Sequence, residues 1–133
     1  MGDNEATLER IRGYLAEGDF TAMVRDITEL ATDDFVQEWP QSGERIRREN
    51  AVKLFERYGE ETGTNPSFTF KRMLGAGAVH VIEGAIDYGD GTKVSYVGIV
   101  ELRDGRIARV TEYFASPFEA PEWRRQYVEQ ADA

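Results

Sequence analysis

The sequence predicts an α+β fold in which three N-terminal helices pack against a strongly curved antiparallel sheet. Three observations carry this: apolar residues recur at helical spacing as far as Tyr58, they alternate at strand spacing from Ser67 to Phe114, and tight-turn signals divide that second region. At 133 residues the chain makes one domain, residues 1–133, large enough for a single core and one pocket.

Leu8, Ile11 and Leu15 mark a first helix, and after the "EGD" break Phe20, Met23, Val24, Ile27, Leu30 and Ala31 mark a second. "DFVQEWP" alternates Phe35, Gln37 and Trp39 against Val36 and Glu38, a short strand that Pro40 ends. "PQSGE" is a turn. "RIRREN" reads as the solvated entrance to a third helix, capped by Asn50, carrying Val52, Leu54, Phe55 and Tyr58 as its stripe and broken by "GEETGTNPS". Four strands then form a meander, turned at "GAG" (75–77), "GDG" (89–91) and "RDG" (103–105). The tail "SPFEAPEWRRQYVEQ" holds a last short helix with Pro121 in its first turn.

Turn length fixes register, and register decides which side chains share a face. Three-residue loops at all three turns pair Tyr96 with Glu112 and Gly84, Val94 with Phe114 and Ile86, His80 with Val100, and Arg72 with His80. One face then collects Phe68, Phe70, Ile82, Ile86, Val94, Val100, Val110 and Phe114. The other takes Glu83, Asp87, Ser95, Glu101, Arg109 and Thr111. Only Arg72, His80, Tyr96 and Glu112 interrupt the apolar face. A two-residue loop at "GDG" would instead turn Glu83 and Asp87 inward beside Tyr96.

Charge and composition exclude several functions. With 25 acidic against 16 basic residues the net charge is −9, which repels nucleic acid and anionic membrane surfaces. No cysteine and a single histidine, His80, rule out disulfides, a thiolate nucleophile and a multi-histidine metal centre within one chain. The acidic start "MGDNEATLER" has no apolar core and no run approaches membrane-spanning length, so the expected location is cytoplasmic and no cofactor is implied.

The order of helices before sheet, with "AEGDF", "ATDDFVQEWP" and "VELRDGRIARVTEYFASPFEAPEW", resembles the nuclear transport factor 2-like superfamily, closest to its SnoaL-like members. That resemblance covers nearly the whole chain. It implies a cone-shaped, cystatin-like α+β barrel whose concave sheet face and helices enclose a pocket, and whose opposite face serves dimerisation. Ketosteroid isomerases and limonene epoxide hydrolases belong to the same group. The isomerases' general base falls on Trp39, their tyrosine donor on Ile11 and their protonated aspartate near Gly98. The hydrolases place an acid before a Tyr-Phe pair, as Glu112 stands before Tyr113 and Phe114, but their second acid and its arginine have no counterpart in "VHVIEG".

Glu112 is the expected acid or base, on a face where desolvation disfavours its charged form, with Tyr96 orienting it. Arg72 and His80 form a second polar pole suited to an anionic ligand end or to a structural pair at the rim. Trp39, Phe55, Tyr58, Phe118 and Trp123 are placed to line or lid a cavity floored by Val94, Val110 and Phe114. Two classes remain open: a cofactor-free isomerase, cyclase or hydrolase acting on a small apolar molecule, and a non-catalytic ligand-binding or dimeric assembly domain. A homodimer is expected through the outer sheet face around Val97, Ile99 and Tyr113.

Overall fold

The computed structural model describes residues 3–17, 24–25, 28–63 and 66–131. In chain order these form α1 (Asp3–Glu17), β1 (Ala31–Trp39), β2 (Glu44–Arg47), α2 (Arg48–Thr62), β3 (Ser67–Ala76), β4 (Val79–Asp87), β5 (Lys93–Arg103), β6 (Arg106–Ala115) and a terminal 3-10 helix (Glu122–Tyr127). Phe20, Met23 and Ile27 of the expected second helix lie outside the described residues. Within that stretch Val24, Arg25, Thr28 and Glu29 are helical, and Thr28 Oγ1 donates to the Val24 carbonyl at 2.7 Å. Ala31, read as helical from its spacing, opens β1 and is fully buried there.

The six strands make one open sheet in the order β2-β1-β6-β5-β4-β3. All neighbours are antiparallel except β1 and β6, so the sheet is mixed where an all-antiparallel one was expected. The meander supplies four strands by local turns, whereas β1 reaches β6 across the chain and fills the open edge beside it. Leu8, Ile11 and Leu15 of α1 pack with Phe35, Phe68, Ile82, Val100, Ile107 and Val110 into the core. Each such side chain removed from water contributes about 1.5–3 kcal/mol before conformational entropy is charged. The start of α1 also clasps the last hairpin: Gly105 N donates to Asn4 Oδ1 at 2.8 Å and Thr7 Oγ1 to the Gly105 carbonyl at 2.5 Å.

Several boundaries differ from the sequence reading, each for a physical reason. "ERIR" forms β2, pairing with β1 through Gln37–Ile46 and Val36–Arg47, so the basic cluster begins as a strand. That strand runs straight into α2, whose N-cap is Arg47 with no side-chain cap, leaving Asn50 inside the first turn. Helix α2 continues through Gly59 and ends at Gly63, whose left-handed φ of 68° lets its N–H reach the Gly59 carbonyl at 2.9 Å. Pro121 precedes the terminal helix as its N-cap.

The β4–β5 register is as expected, with Ile86 opposite Val94 and His80 opposite Val100, which keeps Glu83 and Asp87 off the inner face. The last hairpin turns in two residues, Asp104 (φ 52°) and Gly105 (φ 78°), both positive as a type I′ turn requires. A bulge then leaves Ala108 unpaired between Leu102–Ile107 and Glu101–Arg109. The net slip is two residues, so Glu112 faces Gly98 and Tyr96 faces Phe114. The β3–β4 hairpin turns in two residues, Gly77 and Ala78, which sets Gly75 opposite His80 and Arg72 opposite Glu83, and a bulge at Lys71 then shifts the register by one and puts Phe70 opposite Gly84. Arg72 is thereby turned outward, and Met73 packs against the core instead.

Candidate functional site

The concave face places one acid among apolar side chains. Glu112 is 9 % exposed and lies next to Val110 on β6, in the strand that pairs with β1. Alternation along β1 brings Gln37 and Trp39 to the same side. Trp39 Nε1 donates to Glu112 Oε1 at 3.0 Å, Gln37 Nε2 donates to the same oxygen, and Tyr96 Oη donates to Oε2. Three donors thus converge on one buried carboxylate, which as an ionised group only accepts. Among the described residues no buried side-chain nitrogen or oxygen lacks a partner.

Tyr96 reaches this acid because position 98 has no side chain. A Cβ at Gly98 would overlap the Tyr96 hydroxyl and stand 2.9 Å from its Cζ. The phenol therefore occupies the space opposite Glu112 that a larger residue at 98 would take. Burial pushes the Tyr96 phenol well above its ordinary value, reinforced by the Glu112 charge and the hydrogen bond between them, so it stays a neutral donor. Phe68 and Phe114 pack on its ring, with centroids 5.3 and 5.6 Å away, and Trp39 meets Phe114 edge-on at 6.0 Å.

Glu112 forms part of the wall of an open cavity of about 400 Å³, shared with Trp39, Leu54, Phe55, Tyr58, Tyr88 and Phe114. That volume lies in the usual range of small-molecule sites, about 300–1,000 Å³. Leu54, Phe55 and Tyr58 are only half-buried on α2 because they face this space and not a filled core. A second, small cavity of about 60 Å³ lies on the core side of Glu112, against Gln37, Tyr96 and Val110. Gln41 closes one end of the sheet: its side-chain amide donates to the Phe114 carbonyl at 2.8 Å and accepts from the Phe114 N–H at 2.7 Å. The pairing of β1 with β6 is thus extended past Pro40 by a side chain.

Six of the expected site residues meet here: Glu112, Tyr96, Trp39, Phe55, Tyr58 and Phe114. Val110 lines the small cavity and Val94 packs within the core. Arg72 lies on the outer face, paired with Glu83 at 2.5 Å, because the two-residue turn at Gly77 and Ala78 sets it opposite Glu83. His80 folds over Gly75 at the far hairpin, its Nε2 3.1 Å from the Gly77 carbonyl, so it forms no pole with Arg72. Phe118 and Trp123 are 81 % and 71 % exposed and do not line the cavity, since the chain leaves the sheet after Ala115. Gln37, Gln41 and Tyr88 are additions. Gln37 was signalled by its place between Phe35 and Trp39; Tyr88 follows β4 in a turn, where alternation gives no direction. Among the described residues no group of three or more His, Asp or Glu is placed to hold a metal ion.

The structure is similar to an NTF2-like protein of unknown function from Burkholderia xenovorans, at 31 % identity and a TM-score of 0.76 over 98 % of this chain and 100 % of that one. It is similar to a candidate ketosteroid isomerase from Kribbella flavida at 27 % identity and a TM-score of 0.81, covering 100 % and 95 % of the two chains. An epoxide hydrolase of the limonene type from Mycobacterium tuberculosis, at 22 % identity, 84 % coverage of both chains and a TM-score of 0.62, shares the fold. No curated protein matches. The SnoaL-like domain matches residues 7–110, most of the chain and all of the core elements up to Val110, and the chain belongs to that SnoaL-like family.

Proposed function

We propose that the protein binds a small apolar molecule in the cavity and transforms it without a cofactor, by isomerisation, cyclisation or hydrolysis, with Glu112 as the acid or base. The observation that carries this reading is a buried carboxylate, fixed by Gln37, Trp39 and Tyr96, in the wall of an open and largely apolar cavity. Three donors fix the carboxylate's direction, as a positioned proton transfer to or from a bound molecule requires. Membership of a family whose structural neighbours include a candidate ketosteroid isomerase is consistent with acid/base chemistry.

The test is Glu112→Gln on a substrate found by thermal-shift screening of metabolites. Gln can accept from Gln37 and Trp39 with its carbonyl but cannot carry the proton, so turnover should fall about 10²–10⁴-fold while affinity is retained. Full activity in the variant would remove Glu112 from the chemistry. A second reading, a binding domain without catalysis, is favoured by the same hydrogen bonds: three of the carboxylate's roughly four lone-pair sites are occupied before any ligand arrives. Under that reading the wild type binds its ligand and returns it unchanged.

A further inference from the structure

The donors lining the large cavity are almost all committed. Trp39 Nε1 is spent on Glu112 at 3.0 Å, the Gln41 amide on the Phe114 backbone at 2.8 Å, and the Ser42 hydroxyl on the Trp39 carbonyl at 3.3 Å. What remains is a pair of phenols. Tyr58 of α2 and Tyr88, just beyond β4, stand with ring centroids 6.5 Å apart and ring planes 32° from one another. Two adjacent hydroxyls carry two protons and can use at most one on each other, so one proton stays available.

We propose that Tyr58 and Tyr88 form a donor subsite in the wall of this cavity, separate from Glu112, and that the ligand is a neutral, apolar ring compound carrying a carbonyl-type oxygen. Glu112 and both phenols line the same cavity, so a ligand seated there meets the carboxylate and the phenols together. Burial, then the neighbouring Tyr58 and the Glu112 carboxylate, push Tyr88 up to about 12, and it remains a protonated donor at any physiological pH. The Glu112 field that reaches Tyr88 also disfavours an anionic ligand end. A ketone or ester oxygen buried in this cavity without a donor would lose its hydrogen bonds to water uncompensated, so the phenols select for it. Phe55, stacked on Tyr58 at 6.3 Å, holds that ring in place.

The subsite rests on the cavity being the ligand site, and the experiment separates the two. Tetralin and α-tetralone differ by one carbonyl oxygen, and their affinities for the wild type and for Tyr58→Phe/Tyr88→Phe are measured by calorimetric titration. The wild type should bind α-tetralone about 3- to 10-fold more tightly than tetralin. The double variant should lose that preference and keep its affinity for tetralin. Equal binding of both compounds by the wild type, or a preference surviving in the double variant, would overturn the subsite and leave the cavity standing. Binding of neither would overturn both. The infrared carbonyl stretch of α-tetralone bound to the wild type gives the same answer if the double variant does not fold: it should lie below its frequency in an apolar solvent, and an unshifted stretch would overturn the subsite.

Discussion

At the scale of single residues, the acid depends on a glycine on the neighbouring strand. Glu112 faces Gly98 across the β5–β6 ladder, and the Tyr96 hydroxyl fills the room that Gly98 leaves. Gly98→Ala should therefore act on the carboxylate without touching it. The added methyl forces Tyr96 aside, costing about 1–3 kcal/mol as overpacking and removing one of three donors from Glu112. Tyr96→Phe removes the same hydrogen bond and also the atom that would clash. In thermal unfolding, the double variant Tyr96→Phe/Gly98→Ala should consequently be less destabilised than the two single effects added together. Strict additivity would mean that the contact between position 98 and the phenol has no energetic weight.

At the scale of elements, the legible and illegible parts of the fold divide by whether the information is local. The stripes of Leu8, Ile11 and Leu15 and the alternation through β4, β5 and β6 are local, and the structure buries those residues as the pattern implies. The slip in the last hairpin is even, so Glu112 and Tyr96 kept their face although their partners changed. The slip in β3 is odd, and it carried Arg72 to the other side. Bulges leave no composition signal in "FTFKRML", and the pairing of β1 with β6 joins segments about seventy residues apart, which no local pattern encodes. That remote pairing brings Gln37 and Trp39 to Glu112, so two of its three donors were readable as a face of β1 but not as its partners. The same strand, β1, carries an ion pair that tests its contribution. Arg103 of β5 donates to Asp34 of β1 at 2.6 Å, and with Thr32 it holds the Asp34 carboxyl at about 2, below the ordinary 3.8. A carboxyl depressed in the folded state stabilises the fold above its unfolded value and loses that contribution as pH falls through its folded value. The stability difference between wild type and Asp34→Asn in urea should be constant above about pH 4 and vanish towards pH 2. A difference that does not change over that range would mean that the pair does not couple β1 to β5.

At the scale of the whole molecule, the sheet has two faces and only one is filled. The inner face holds the core and the cavity. The outer face carries Val97, 36 % exposed, directly opposite Tyr113, 41 % exposed, with the half-buried Ile99 beside them. Around that apolar centre, Arg109 is paired with Glu38 at 2.8 Å and lies 3.8 Å from Glu101, so the surrounding charges are largely balanced within the chain. This is the composition of a moderately polar interface with an apolar middle. The net charge of −9 opposes self-association at long range, and a stable contact must therefore bury roughly 1,000 Å² or more in total. We propose that a second copy covers this face in a symmetric dimer, in which Tyr113 and Val97 of each protomer pack near the two-fold axis. Light scattering should give twice the chain mass, and Tyr113→Glu, which places two like charges near that axis, should give the monomer with its far-ultraviolet circular dichroism unchanged. Added salt should strengthen the wild-type dimer by screening the net repulsion while leaving the apolar centre intact. A wild type that remains monomeric at high concentration and high salt would leave Val97 and Tyr113 as ordinary surface residues and remove the dimer.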